Sequence, residues 1–270
     1  MSNSYRNGEL ITSDVATDRA LLYGDGVFTT LVIKDGKGLF IEEHFQRLLK
    51  DCHQLKINNP PLNDIKNSFA SIIKNINQGI VRISVSRSSG ERGYLCVNPI
   101  PVFWISTSQW PAHIETFRAS GINVRYCQQR LSQNSTLAGI KHCNRLEQVL
   151  ARNEWQSDDY QEGLMLDTAD QVIEGTMSNL FLVKNNQLIT PNLTLSGVEG
   201  IMRQKIIEIA KFENIDVKVT TILVDDLNAA DAAFVTNSVI GIWPINRIDN
   251  HCFVQNPLIK KLQQSLNKFI

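Results

Sequence analysis

The hydrophobic pattern of the chain switches repeatedly between a period of two and a helical period. Val27 to Ile33 is β-branched and aromatic and reads as a strand, with Phe28 and Thr30 on one face and Thr29 on the other. Asn7-Gly8 before it and Lys34-Asp35-Gly36-Lys37 after it are hairpin-turn signals. From Glu42 the period lengthens, and Phe45, Leu48, Leu49, Cys52 and Leu55 mark an amphipathic helix with Arg47 off its apolar stripe. A second helix follows Pro61 on Ile65, Phe69, Ile72, Ile73 and Ile76. Val81, Ile83 and Val85 then alternate with polar residues as a strand, and Val102 to Ser106 is another.

Residues 107–113 (TSQWPAH) break both periods and contain a proline. That places an interdomain linker between an N-terminal α/β domain, 1–106, and a C-terminal α/β domain, 114–270. In the second domain Ile122, Val124 and Tyr126 alternate as a strand, and a helix is expected from about Asn144 to Trp155. Two hairpin-like pairs follow, 163–167 with 172–175 and 179–183 with 188–190. The run GVEGIMRQ leads into a strong helix, so the N–H groups of Ile201 and Met202 lie at a helix start, a place suited to an anion. AAFVTNSVIGIWPI reads as a strand, a polar turn at Thr236-Asn237-Ser238 and a further apolar segment, and a last helix opens at Pro257.

Composition narrows the function classes. A chain of 270 residues with 43% hydrophobic residues can bury a substantial core. Its 27 basic and 27 acidic residues cancel, with no run of like charge, so a footprint for nucleic acid or anionic lipid is not indicated. Small-molecule chemistry is the better expectation. The five cysteines are scattered and never stand at the two-residue spacing of a zinc or redox site, which suits a reduced, cytoplasmic compartment. MSNSYRNGEL has no apolar core of signal-peptide length, and no apolar run reaches the length of a membrane span.

Against that background five features stand out: Lys141 in a helix-entry loop, Glu174 beside a glycine, the helix start at Gly200 to Met202, the hydroxyl turn at Ser238, and Arg47. A pyridoxal 5′-phosphate enzyme needs these parts. The amine forms a Schiff base and carries protons, an anion partners the pyridine nitrogen, and N–H groups, hydroxyls and a guanidinium grip the phosphate. Each also has an ordinary reading, as a solvated lysine, a turn carboxylate, a capped helix or a loop hydroxyl. The loop Arg87 to Tyr94, with two arginines, two glycines and two serines, suits either an anion site or an exposed hairpin connection.

The runs YGDGVFTT (23–30), FQRL around Arg47, SRSSGERGY (86–94), LAGIKHCNRLEQVL (137–150), VIEGTMSNLF (172–181), GVEGIMRQ (197–204) and TNSVIGIWPI (236–245) span most of the chain. Together they resemble the class IV aminotransferase family, fold type IV of the pyridoxal-phosphate enzymes, with a two-domain fold like that of D-amino acid aminotransferases. The resemblance implies pyridoxal 5′-phosphate in the cleft between the domains, with Lys141 as the Schiff-base lysine and catalytic base. It implies Glu174 at the pyridine nitrogen, and Arg47, the N–H groups of Ile201 and Met202, and Ser238 or Asn237 at the phosphate. Asn179 would be a structural member of the Glu174 turn. Substrate would meet Phe28, Thr30 and Thr29, with Arg87 and Arg92 for its carboxylates. SRxSGxRGY combined with LAGIKHxNRLEQ points to the lyase branch, which converts 4-amino-4-deoxychorismate to 4-aminobenzoate and pyruvate in folate biosynthesis. The alternative is amino transfer on D-amino acids or branched-chain amino acids. A homodimer is also implied. Two departures are Glu91, where relatives often have glycine, and Cys143, two residues after the lysine.

Overall fold

A computed structural model of the protein describes residues 3–10, 17–88 and 93–269, with the side chains of residues 3 and 4 left aside. It divides into two compact units, Met1–Pro111 with Ile140–Asn144, and Ala112–Gly139 with Arg145–Ile270. The second domain expected from the sequence is continuous from 114. Instead, the five residues that carry Lys141 belong to the first unit.

In chain order the first unit contains β1 (Asn3–Arg6), β2 (Glu9–Leu10), α1 (Arg19–Tyr23), β3 (Gly26–Lys34), β4 (Lys37–Gly38), α2 (Ile41–Gln54), α3 (Leu62–Ile73), β5 (Gln78–Ser86) and β6 (Val102–Ser108). The six strands form one sheet in the order β2-β1-β6-β5-β3-β4, every neighbouring pair antiparallel. Both hairpin signals act as the sequence predicts. Asn7 and Gly8 (φ 47° and 87°), and Asp35 and Gly36 (φ 50° and 72°), take the positive φ values of a type I′ turn.

One face of this sheet is apolar. Val27, Leu31, Ile33, Val81, Ile83, Val85, Phe103 and Ile105 pack there with Phe45, Leu48 and Cys52 of α2 and Ile65 and Phe69 of α3. The other face is more polar. Thr30 lies opposite Arg82 and Phe28 opposite Ser84, so these four side chains share it.

The second unit contains α4 (Ile114–Ser120), β7 (Ile122–Tyr126), α5 (Leu146–Arg152), β8 (Glu162–Leu166), β9 (Val172–Gly175), β10 (Asn179–Lys184), β11 (Gln187–Pro191), α6 (Ile201–Phe212), β12 (Val217–Thr220), α7 (Val224–Asn228), β13 (Ala232–Asn237), β14 (Gly241–Ile248), β15 (His251–Cys252) and α8 (Pro257–Leu266). Its sheet runs β12-β11-β10-β13-β14-β7-β8-β9, and β9 also pairs with β10. The strands β10, β13, β14, β7, β8 and β9 therefore close on themselves, which removes two exposed edges. Phe181 and Phe234 stack 5.0 Å apart on neighbouring β10 and β13. Among the described residues no helix is long and apolar enough to cross a membrane.

Candidate active site

Lys141 sits in the pentapeptide 140–144 beside the start of β3, five residues before the first residue of α5. Its carbonyl accepts the Phe28 N–H at 2.9 Å, His142 bridges Val27, and the Cys143 N–H donates to Gly26 O at 2.8 Å. Its own N–H donates to Oδ2 of Asp51, on α2, at 3.1 Å. The preceding Ile140 is fully buried in the core of the first unit. With the backbone held this way, Nζ stands 4.8 Å from the centroid of the Phe28 ring.

Behind Phe28, on the apolar side of the sheet, α2 turns His44, Arg47 and Asp51 inward, toward Thr29 of β3 and the N–H of Lys141. Thr29 is fully buried, and its Oγ1 accepts from Nη2 of Arg47 at 2.6 Å. The same Oγ1 lies 2.6 Å from Nδ1 of buried His44. Oγ1 can give its proton to Nδ1 or accept from an Nδ1–H on its second lone pair, and either pairing is open to a neutral imidazole. Burial holds His44 in that form by pushing it well below the ordinary histidine range, and the charges of Arg47 and Lys141 act the same way. Burial also lowers Arg47 to about 10, against the opposing pull of Asp51.

The amphipathic pattern puts Arg47 off the apolar stripe, where a surface arginine is the ordinary reading and a phosphate ligand is what the family resemblance implies. Helical rotation brings it under β3, and its Nε is a buried donor without a hydrogen-bond partner among the described residues. A desolvated guanidinium with an unused N–H fits the phosphate of pyridoxal 5′-phosphate. Thr29, a candidate for substrate, spends its hydroxyl on Arg47 and His44, whereas Thr30 is partly exposed on the Phe28 side.

In the second unit Glu174 is 4% exposed on β9. Its Oε2 accepts the Val198 N–H at 2.9 Å and faces Nδ2 of Asn179 at 3.5 Å, and that Nδ2 donates to Val198 O at 2.8 Å. Asn179 is thus the structural member of the Glu174 turn. Val198 belongs to a loop that only glycines can close. Gly197 has φ +86°, and a Cβ on it would stand 2.8 Å from Ile173 Cγ2 and 3.3 Å from Glu174 Oε2. A Cβ on Gly200 would fall 2.0 Å from Asn179 Oδ1.

Gly200 caps α6 without a side-chain hydrogen bond, and the first turn of α6 holds no acidic residue. The N–H groups of Ile201 and Met202 are therefore presented by a helix start of positive potential. Arg203 turns inward, to Thr190 Oγ1 at 3.2 Å and Pro191 O at 3.0 Å, and anchors that end of the helix.

At the β13–β14 turn Asn237 is committed at both ends. Its Oδ1 accepts from the N–H groups of Val239 and Ile240, and its Nδ2 donates to Met177 O. That leaves the partly exposed Ser238 as the turn's candidate ligand.

Two residues that the sequence pattern passed over support the site. Glu162, fully buried just before the apolar run of β8, accepts from Gly163, Thr176, Met177 and Ser178, and so fixes the turn after Glu174. Arg82 read only as a polar position in an alternating strand. Its Cζ lies 3.7 Å from the Phe28 centroid and its Nε 3.2 Å from Ser84 Oγ, on the same ring that Lys141 approaches.

Arg87, a candidate for a substrate carboxylate, is instead spent internally. Its Nε donates to Asp25 at 2.9 Å, and Nη1 and Nη2 donate to the Lys56 and Leu55 carbonyls at the end of α2, both at 2.7 Å. A guanidinium there completes the helix terminus. Arg92 and Glu91 lie outside the described residues.

Comparison with known proteins places the chain by sequence and by fold. An aminodeoxychorismate lyase from Vibrio harveyi is 36% identical over 262 residues, covering 93% of this chain and 94% of the relative. The structure is similar to the crystal structure of 4-amino-4-deoxychorismate lyase from Pseudomonas aeruginosa, with a TM-score of 0.94, 35% identity and 98% of both chains covered. A PLP-bound hypothetical aminotransferase from Mycobacterium tuberculosis shares the fold at a TM-score of 0.87 and 20% identity, over 99% of this chain and 98% of the other. The model of the family "Amino-transferase class IV" matches residues 26–248, and the chain belongs to the class IV aminotransferase family.

Proposed function

We propose that the protein is a pyridoxal 5′-phosphate-dependent lyase that converts 4-amino-4-deoxychorismate to 4-aminobenzoate and pyruvate. The similarity to two lyases, each covering more than nine-tenths of the chain, supports the reaction. The observation that carries the mechanism is the seating of Lys141, whose backbone is fixed at its N–H and its C=O while its amine stands over Phe28.

When bound, the cofactor supplies an aldehyde that joins the substrate amine and a ring that accepts the electron pair released beside it. The amine of Lys141, in its neutral form, takes the proton from the carbon bearing the nitrogen. Rupture of the enol-ether C–O bond expels enolpyruvate, which takes up a proton to become pyruvate, and the remaining ring becomes aromatic. Aromatisation drives that step, so the protein has chiefly to orient the C–H bond and supply the base.

Glu174 keeps a proton at the pyridine nitrogen. Arg47, the N–H groups of Ile201 and Met202, and Ser238 hold the phosphate, with Asn237 shaping Ser238's turn. Phe28 and Thr30 border the substrate, Arg82 and Arg92 meet its carboxylates, and Thr29 and Arg87 act by holding other groups. We also propose a homodimer, supported by the exposed apolar Leu21, Leu22, Tyr23 and Tyr94, and a cytoplasmic location, which suits the five free cysteines.

The test is reaction without an amino acceptor. Purified protein given 4-amino-4-deoxychorismate and no oxo acid should release pyruvate and 4-aminobenzoate in equal amounts. Amino transfer to 2-oxoglutarate at a comparable rate would instead indicate an aminotransferase acting on D-amino acids or branched-chain amino acids.

A further inference from the structure

Asp51 has a burial that the reaction does not explain. It lies on α2 with 1% of its surface exposed, between Leu48 and Cys52, which are both in the apolar core. Placing a carboxylate there is costly unless it is partnered. One partner is the N–H of Lys141, 3.1 Å from Oδ2. Another is electrostatic. Asp51 follows Arg47 by four residues on the same helix, the spacing at which side chains are neighbours, and its charge opposes the desolvation of that guanidinium. Along β3 the same stretch is held by the Phe28 N–H on the Lys141 carbonyl, the His142–Val27 bridge and the Cys143 N–H on Gly26 O, with Ile140 buried beside it.

We propose that Asp51 is a positioning residue, tying the backbone of Lys141 to the helix that carries Arg47 so that amine and guanidinium keep one separation before the cofactor arrives. This rests on the reading of Lys141 and Arg47 as cofactor ligands. It gives Asp51 two separable duties. Holding the N–H needs only an acceptor oxygen, which asparagine retains. Balancing Arg47 needs the negative charge, which asparagine lacks.

The experiment uses the full chain as wild type, D51N and D51A, first stripped of cofactor. Hydrogen exchange is read at the amides of residues 140–144. Loss of a charge-assisted acceptor should speed exchange of the Lys141 amide about tenfold in D51A, while D51N stays within about threefold of wild type. Affinity is then measured for pyridoxal 5′-phosphate and for pyridoxal, which lacks the phosphate. D51A should bind pyridoxal about tenfold more weakly, because the amine is displaced, and lose several-fold less for pyridoxal 5′-phosphate, because it too leaves Arg47 unbalanced. D51N should keep its affinity for pyridoxal and bind the phosphate form several-fold more tightly, because Arg47 is no longer balanced.

The proposal is overturned if D51A matches wild type within about twofold in Lys141 exchange and in both affinities, or if D51N loses the Lys141 protection as fully as D51A does. Should D51A fail to fold, D51S carries the same expectations, since its hydroxyl falls a bond short of the carboxylate. A wild type that binds no pyridoxal 5′-phosphate would defeat the proposed function, yet the exchange comparison would still decide whether Asp51 holds Lys141.

Discussion

The hydroxyl of Thr29 and the guanidinium of Arg47 meet at 2.6 Å between β3 and α2, so one strand presents Phe28 to Lys141 on one face and orients Arg47 on the other. Thr29→Val keeps the shape of the buried side chain and removes this acceptor. The expected result is about a tenfold loss of affinity for pyridoxal 5′-phosphate, with little change for pyridoxal. A cofactor titration of each form reads both numbers. Equal losses for the two ligands would contradict the assignment of Arg47 to the phosphate.

His44 gives the fold a pH dependence with a definite sign. Its folded value is depressed, so the stability it contributes is present above the unfolded value of about 6.5 and is lost as pH falls below it. Each proton taken up on unfolding costs at most about 1.4 kcal/mol per pH unit. Urea unfolding at pH 7 and pH 5 should show wild type losing at least about 1 kcal/mol more than His44→Asn over that interval.

Arg87 and Arg82 should separate in a variant pair. Arg87 ties Asp25 to the end of α2, so Arg87→Ala should cost about 2–3 kcal/mol of stability. Arg82 is exposed beside Phe28, so Arg82→Ala should leave the unfolding midpoint nearly unchanged and raise KM at least about tenfold. Thermal unfolding and steady-state kinetics on the two variants check this.

Gly200→Ala should disturb the Glu174 loop within the second unit. The new Cβ would meet Asn179 Oδ1, and relief requires moving either the start of α6 or the side chain that braces Val198 against Glu174. A stability loss of about 1–3 kcal/mol is expected, with weaker cofactor binding. A variant that binds as wild type does would mean that the glycine is not needed there.

Much of this was legible in the sequence because local signals and tertiary packing agree. Asn7-Gly8 and Asp35-Gly36 make the predicted turns, and Pro257 opens the last helix at its first position. The inward-facing polar residues were not legible. Arg47 lies off the apolar stripe, and His44 and Asp51 are polar positions on a helix, so periodicity reads all three as solvated. Their burial depends on partners distant in sequence, Thr29 for Arg47 and His44, and Lys141 for Asp51.

Arg87 shows the opposite case. A loop rich in arginine and glycine suggests an anion site, yet this guanidinium is used up by Asp25 and two carbonyls. The placement of Ile140–Asn144 with the first unit was also invisible, because no composition change marks where the chain leaves one unit and returns.

Pyruvate release from 4-amino-4-deoxychorismate by wild type and Lys141→Ala, with pyridoxal 5′-phosphate present and no oxo acid, tests the central claim most directly. Wild type should release pyruvate and 4-aminobenzoate one for one, and Lys141→Ala should be slower by at least about a thousandfold, since it lacks the base and the anchor. A Lys141→Ala protein that still releases pyruvate at the wild-type rate would contradict the account.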